Sequence, residues 1–380
     1  MTKYNVEKFL QDLENLVNID SHSSDFEGME KVVAYIEKEF PTPMWHISRP
    51  DCGAGCCAKP LQIANTADEN YDVVLCCHID TVFPKGTVAK RPYSVKGNIA
   101  YGPGVSDMKS CCLQTVYVAK ALEASGALDK LKICLAFNTE EEVGSTNVRP
   151  WLEMLGKNSK YGLVMEAARG NGARVLERKG VQHYIIDFYG RAAHAGNAHA
   201  DGRSAINEMA YWILELAKLT DYETGLTVNT GVVSGGQSYN AVAAKAQMDV
   251  DVRIVDMAQV DIIEEALVKL TKHAHNAEIT VDVKHPVNQP PMASTSETAG
   301  LVAIIDEASK AYGMSTEWVK AGGASDGNYI SGAGACTVDG IGPVGAGGHS
   351  EAEYLELESI EPSLHVLEKV LLDLQAKLYK

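Results

Sequence analysis

The stretch DVVLCCHID, residues 72–80, runs through five consecutive apolar residues and closes on a histidine and an aspartate two positions apart. A run of that length bounded by polar residues reads as a buried strand. Two more follow, LKICLAFN (131–138) and YGLVME (161–166), and helix-period patterns separate them at 108–124 and about 146–155. Strands apolar on both sides, alternating with helices, indicate βαβ units and an α/β fold: a mostly parallel sheet with helices on both faces. Upstream, Val6, Phe9, Leu10, Leu13, Leu16 and Val17 line one predicted helix face, and Met29, Val32, Val33, Ile36 and Phe40 line a second.

From about residue 178 the pattern changes. HYIIDFYG, a helix at 203–219, TVNTGVVSG, AAKAQMDVDVRI, a helix at 258–274 and EITVDVKH give strand, helix, strand, strand, helix, strand. That order is the ferredoxin-like α+β unit. After HPVNQPP (285–291), read as a proline-rich joint, a helix at 296–313, STEWVKA, ACTVDG and a closing helix at about 357–378 resume the alternation. The predicted organisation is one α/β domain made of residues 1–177 and 289–380, with a smaller domain, 178–288, inserted between them.

The chain has 380 residues, 46% hydrophobic and 22% charged, which excludes collagen-like, low-complexity and disordered classes. A net charge of −16 with no basic stripe argues against nucleic acid or an anionic membrane as partner. There is no apolar run of ~18 residues, the length a membrane helix needs. The opening MTKYNVEKFLQDLENL reads as an amphipathic helix, so a mature, soluble, cytoplasmic chain without a secretion signal is expected. Six of the nine cysteines form adjacent pairs, at Cys56–Cys57, Cys76–Cys77 and Cys111–Cys112. Neighbours in sequence make poor disulfide partners, so the thiols are expected reduced, and Cys52, Cys56 and Cys57 are read as ordinary loop residues.

In open α/β sheets functional groups gather beyond the carboxyl ends of the strands. Here those ends carry His78 and Asp80, then Glu140, Glu141 and Glu142 in LAFNTEEEVGS, and Glu166 in YGLVMEAAR. Asp107 stands in NIAYGPGVSDMK and His349 in the glycine-rich GPVGAGGHSEAEY. His78 and Asp80 fall on one side of their strand, which suits a ligand histidine whose second nitrogen donates to a carboxylate. Each motif alone has a plain alternative: a hydrogen-bonded histidine, a solvated acidic loop, a glycine turn. GIGPVG (340–345) matches GxGxxG but continues into more glycine without opening a helix, and is read as a turn. Several carboxylates and histidines at successive ends of one sheet would repel one another unless a cation neutralised them, so a cation is implied.

HIDTVFPKGT, YGPGVSDMK, NTEEEVGS, GRAAHAG followed by GRSAI, and GGHSEAEY, in that order, resemble the dinuclear zinc exopeptidases. That family includes glutamate carboxypeptidase, acetylornithine deacetylase, succinyl-diaminopimelate desuccinylase and aminoacylase. The resemblance covers nearly the whole chain and implies that Asp107 bridges two zinc ions per subunit. His78 and Glu166 would complete one site, Glu142 and His349 the other. Three protein ligands per ion leave an open position for a bridging water, as a catalytic site requires. Cobalt or manganese would accept the same ligands. The resemblance makes Glu141 the general base and Asp80 the residue that orients His78. His194 would be the histidine that a partner subunit lends to the oxyanion, implying a homodimer and a lid or dimerisation role for the inserted domain. Asn240 and Arg253 would hold the substrate's carboxylate, and GGASDGN (322–328) would line the pocket. Two departures stand out: Ser110 replaces a common glycine, and NAHADGRSAI lacks a common proline.

The expected function is therefore hydrolysis of an amide bond beside a free carboxylate, most closely glutamate carboxypeptidase chemistry on a small peptide or N-acyl amino acid. A deacylase of the acetylornithine or succinyl-diaminopimelate type, or a dipeptidase, shares the whole metal site. A scaffold that keeps the fold without turnover is the competing class, and Glu141 speaks against it, because a structural metal site has no use for an unliganded carboxylate.

Overall fold

The computed structural model describes residues 2–379, and the chain divides into two compact units. One holds the chain up to Glu177, Met292–Ala321 and everything from Ser325 onward; the other holds Arg178–Pro291 with Gly322–Ala324.

The first unit is built on a six-stranded sheet in the order His46–Ser48, Leu61–Ala64, Ile133–Asn138, Tyr71–His78, Ser159–Val164, Cys336–Val338. The last four strands run parallel, and the first two add antiparallel at one edge. The apolar runs are continuous because both faces are covered. Val73, Leu75 and Cys77 enter one core with the helices Val6–Val17, Phe26–Glu37, Ser110–Ala124 and Ile360–Leu378. Val74 and Cys76 enter the other, against the helices Arg149–Lys157 and Gly327–Gly332. Side-chain alternation along the strand thus sends one of the two neighbouring cysteines to each face. The first helix starts where the Asn5 side chain accepts the Lys8 N–H at 3.0 Å, satisfying a donor that the first turn leaves free. It buries Phe9, Leu13, Leu16 and Val17 along one stripe.

Two features depart from the sequence expectation. A small antiparallel sheet joins Gly345–Ala346, Tyr354–Glu356, Ile99–Tyr101 and Ser94–Lys96, bringing the segment after His349 beside the segment before Asp107. STEWVKA, expected to continue the main alternation, instead pairs as Trp318–Ala321 with Arg174–Arg178, outside the main sheet.

The second unit is a four-stranded antiparallel sheet in the order Thr227–Gly235, Lys245–Ile254, Gly180–Tyr189, Thr280–Gln289. Helices Ala205–Ala217 and Ala258–Lys272 bury Trp212, Leu216, Ile263 and Leu267 against it. HPVNQPP is not all joint: it stays strand to Gln289, paired with Val181, through a register shift between Lys284 and Val287. That shift lets the strand carry Pro286, which has no ladder N–H to give.

Candidate metal centre and active site

The parallel strands place their carboxyl ends at one end of the sheet, and the chemistry collects there. His78 closes its strand and is 1% exposed. Its Nδ1 lies 3.0 Å from the Asp80 main-chain oxygen and 3.4 Å from the Asp80 carboxylate. The Asp80 carbonyl is thus the nearer partner of the ring and its carboxylate the farther one. The carboxylate instead accepts the Ser23 hydroxyl at 2.7 Å and the backbone N–H groups of Glu141 and Glu142, each at 3.2 Å. One buried residue thus fixes the histidine and the acidic loop together.

Asp107 joins two groups of ligand atoms. His78 Nε2 is 3.0 Å from Asp107 Oδ1 and 3.5 Å from Glu166 Oε1. On the other side, His349 Nε2 is 3.3 Å from Asp107 Oδ2 and 2.9 Å from Glu142 Oε2. In each triad, His78–Asp107–Glu166 and Asp107–Glu142–His349, the ligand atoms lie within 4.8 Å of one another. The aspartate offers one oxygen to each. Backbone geometry serves the same end. A Cβ on Gly348 would sit 2.8 Å from Asp107 Oδ2, so glycine there lets the His349 loop approach the shared carboxylate. His349 itself has φ 64°, a left-handed conformation that costs a side-chain-bearing residue about 1–2 kcal/mol.

The electrostatics are those of a cluster short of positive charge. Burial pushes Glu141 well above the ordinary carboxylate range, and the charges of Glu166, Asp326 and Glu142 add to that. Burial likewise raises Glu142, to about 7, and raises Glu166, with Asp107 adding to both. His349 rises to about 9, chiefly through its hydrogen bond to Asp107. For His78, burial favours the neutral ring, but the hydrogen bonds to Asp107, Asp80 and Glu166 prevail and raise it well above its usual value. Asp107 is lowered: burial opposes ionisation, and the two histidines outweigh it. Two imidazoles and three carboxylates, all oxygen or nitrogen donors with the shared one between, fit a pair of divalent cations. Glu141 belongs to neither triad.

The remaining expected residues lie in the second unit. His194 is exposed, and its Nδ1 accepts the backbone N–H groups of Gly196 and Asn197, both at 3.1 Å. A ring whose Nδ1 accepts carries its proton on Nε2, leaving that N–H as an outward donor. Asn240 lies beside it, since the Asn240 carbonyl accepts the Ala195 N–H at 2.9 Å. Arg253 is engaged within its own strand: Nε and Nη2 fork onto the Asp251 carboxylate at 2.8 and 2.9 Å.

Sequence reasoning missed three things. Glu353 is fully buried and accepts main-chain N–H groups of the turn that carries Asp107. Asp326, inside GGASDGN, accepts from Asn138 Nδ2 at 2.7 Å and the Ser145 hydroxyl at 2.5 Å, bracing both ends of the Glu141–Glu142 loop. Cys52 and Cys56, expected as thiols, form a disulfide with Cα atoms 5.7 Å apart; Gly53 at φ 72° makes the turn that brings them within reach. The other seven cysteines are free.

An α/β sheet with two oxygen- and nitrogen-donor triads at its carboxyl end is the arrangement of a candidate metal-dependent enzyme. The profile of peptidase family M20/M25/M40 matches residues 74–373, and the chain belongs to that family. It is 28% identical over 376 residues to carboxypeptidase G2 of Pseudomonas sp., covering 97% of this chain and 89% of the relative. Succinyl-diaminopimelate desuccinylase of Marinobacter nauticus is 23% identical, covering 79% and 82% of the two chains. Among solved structures, aminopeptidase PepT from Bacillus cereus superposes with a TM-score of 0.78 at 21% identity, covering 97% of this chain and 99% of that one. No helix among the described residues is long and apolar enough to cross a membrane.

Proposed function

We propose that the protein is a zinc-dependent exopeptidase that cleaves an amide bond beside a free carboxylate, with glutamate as the released residue. The observation that carries this reading is Asp107 shared between two triads, with the non-ligand carboxylate Glu141 next to them in the chain. When bound, a pair of zinc ions polarises the scissile carbonyl and makes the attacking water more acidic. The protein's own groups do the rest. Glu141 takes the proton from the attacking water as the new C–O bond forms, and passes it to the amide nitrogen as the C–N bond breaks. His194 of the partner subunit, in a homodimer, donates its Nε2–H to the oxyanion; the Nδ1 contacts above support that protonation state. Asn240 and Arg253 take the substrate carboxylate, with Arg253 offering Nη1 or exchanging Asp251 for the substrate.

The glutamate preference rests on GPGVSDMK and NTEEEVGS, which resemble the glutamate carboxypeptidase branch; the carboxypeptidase reading is supported by the nearly full-length similarity to carboxypeptidase G2. A deacylase is the second reading, supported by the similarity to the desuccinylase. Amine release by the zinc-loaded protein, with and without chelator, separates them. Preference for N-benzoyl-glutamate and folate-type glutamyl amides supports the proposal. Preference for N-acetyl-ornithine or N-succinyl-diaminopimelate transfers it to the second reading, and silence across the panel sinks both.

A further inference from the structure

Glu353 takes no part in the reaction as described, yet its carboxylate is fully buried. Oε2 accepts the N–H of Gly104 at 2.9 Å, and Oε1 accepts those of Ser106 at 2.9 Å and Asp107 at 3.0 Å, with the Ser106 hydroxyl at 3.4 Å. These donors belong to one turn, and that turn ends on the aspartate whose two oxygens serve the two triads. Glu353 lies four residues past His349, just ahead of the strand Tyr354–Glu356, which pairs with Ile99–Tyr101. A single side chain therefore ties the loop that presents His349 to the turn that presents Asp107.

The chemistry demands a carboxylate. Three main-chain donors converge on two oxygens, and bonds to an ionised acceptor are shorter and stronger than neutral ones. A glutamine of the same shape would keep one acceptor oxygen and turn its NH₂ group toward an N–H. Gly104, at φ 73°, gives the turn the backbone conformation that points its N–H groups inward.

We propose that Glu353 is a positioning residue for the metal pair, setting the spacing between Asp107 and His349 through the main chain; this rests on the reading of the two triads as metal sites. The full chain is stripped with chelator and titrated with cobalt(II), with visible absorption and a competing chromophoric chelator as readouts. Glu353→Gln, which preserves volume, binds cobalt about 10- to 100-fold more weakly, the range seen when the partners behind metal ligands are removed, and its absorption band changes. Glu353→Asp, shorter but with both acceptor oxygens, falls between Glu353→Gln and the native protein. Packing alone would reverse that order, leaving the isosteric glutamine nearly native and the aspartate impaired. Native affinity and band in Glu353→Gln overturn the proposal. Should that variant not fold, Glu353→Asp decides alone: cobalt binding about tenfold weaker supports the role, and native binding refutes it. His349→Ala keeps the two levels apart. If it also binds cobalt as the native protein does, the metal reading fails; if it weakens binding while Glu353→Gln does not, only the positioning role fails.

Discussion

Replacing Glu141 by glutamine tests the proposed division of labour between a general base and the residues proposed to hold metal. The substitution preserves shape and removes the ability to take a proton. Its backbone is held independently of its side chain, because the Glu141 N–H donates to Asp80 Oδ1 at 3.2 Å and the next N–H to Asp80 Oδ2 at 3.2 Å. Glu142 should therefore stay where it meets His349, and both metals should remain bound. What is lost is general base catalysis, about 100- to 10,000-fold in rate, equivalent to roughly 3–5 kcal/mol of barrier at ~1.4 kcal/mol per tenfold. The assay pairs initial rates of amine release from N-benzoyl-glutamate with metal content on the same sample. Native kcat in Glu141→Gln would falsify the assignment of the base. Loss of zinc together with activity would refute the separation of base from ligands.

Two further predictions concern the His349 loop and a buried carboxylate elsewhere in the fold. Gly348→Ala places a Cβ 2.8 Å from Asp107 Oδ2; forcing atoms into a packed site costs typically 1–3 kcal/mol, so a metal competition titration should show affinity reduced by about tenfold or more. Unchanged affinity would mean that the His349 loop yields freely. Far from the site, buried Asp72 accepts Lys132 N–H at 3.0 Å, Lys160 Nζ at 2.7 Å and the Tyr379 hydroxyl at 2.6 Å. Burial opposes its ionisation, but these bonds prevail and hold its carboxyl below the ordinary 3.8. Its contribution to stability is complete above that value and is lost as pH falls through the lowered one. Melting curves of Asp72→Asn and the native protein should diverge at neutral pH and converge in acid; a constant gap refutes the linkage.

The parallel strands were legible because burial on both faces leaves an unbroken apolar run that only such a sheet explains. His78, Glu166 and the acidic loop were legible for a related reason: they close those runs, so placing the strands placed them. Glu353 was not, since its partners are main-chain N–H groups and no residue type announces a turn of converging donors. The Arg253–Asp251 fork was half visible. MDVDVRI puts the two residues on one face of a strand, two positions apart, but nothing in the alternation says whether the arginine is committed to its neighbour or open to a ligand. The Cys52–Cys56 disulfide was not legible because a four-residue spacing in a loop fixes no Cα separation; the left-handed Gly53, at φ 72°, lies between the two cysteines. The short antiparallel sheet beside the site escaped too, because strands of two or three residues carry too little pattern to register as period two.

The charge balance of the centre makes its dependence on metal a matter of pH. With the ions stripped, burial first and the charges of Asp107 and Asp80 next push Glu142 up to about 7 from the 4.5 of an ordinary glutamate, against the opposing pull of His78 and His349. The folded protein then holds a proton that the unfolded chain has released, so stability falls as pH rises from about 4.5 to about 7. His349 acts in the same direction over a later window: its bond to Asp107 raises it from 6.5 to about 9, and that stabilisation, complete below 6.5, is lost as pH passes 9. Glu166, raised by burial and by Asp107, adds to the first window. Asp107 opposes them only in acid, because its own shift is downward. Metal binding runs the other way, since its ligands must be deprotonated and affinity climbs with pH. The gap in melting temperature between zinc-loaded and chelator-stripped protein should therefore widen steadily from pH 5 to pH 9, by decline of the stripped form as well as by tighter metal. Scanning both forms across that range tests the point directly. A stripped protein whose stability rises with pH would mean that groups other than these histidines neutralise the acidic cluster, and that its charge calls for no cation at Asp107.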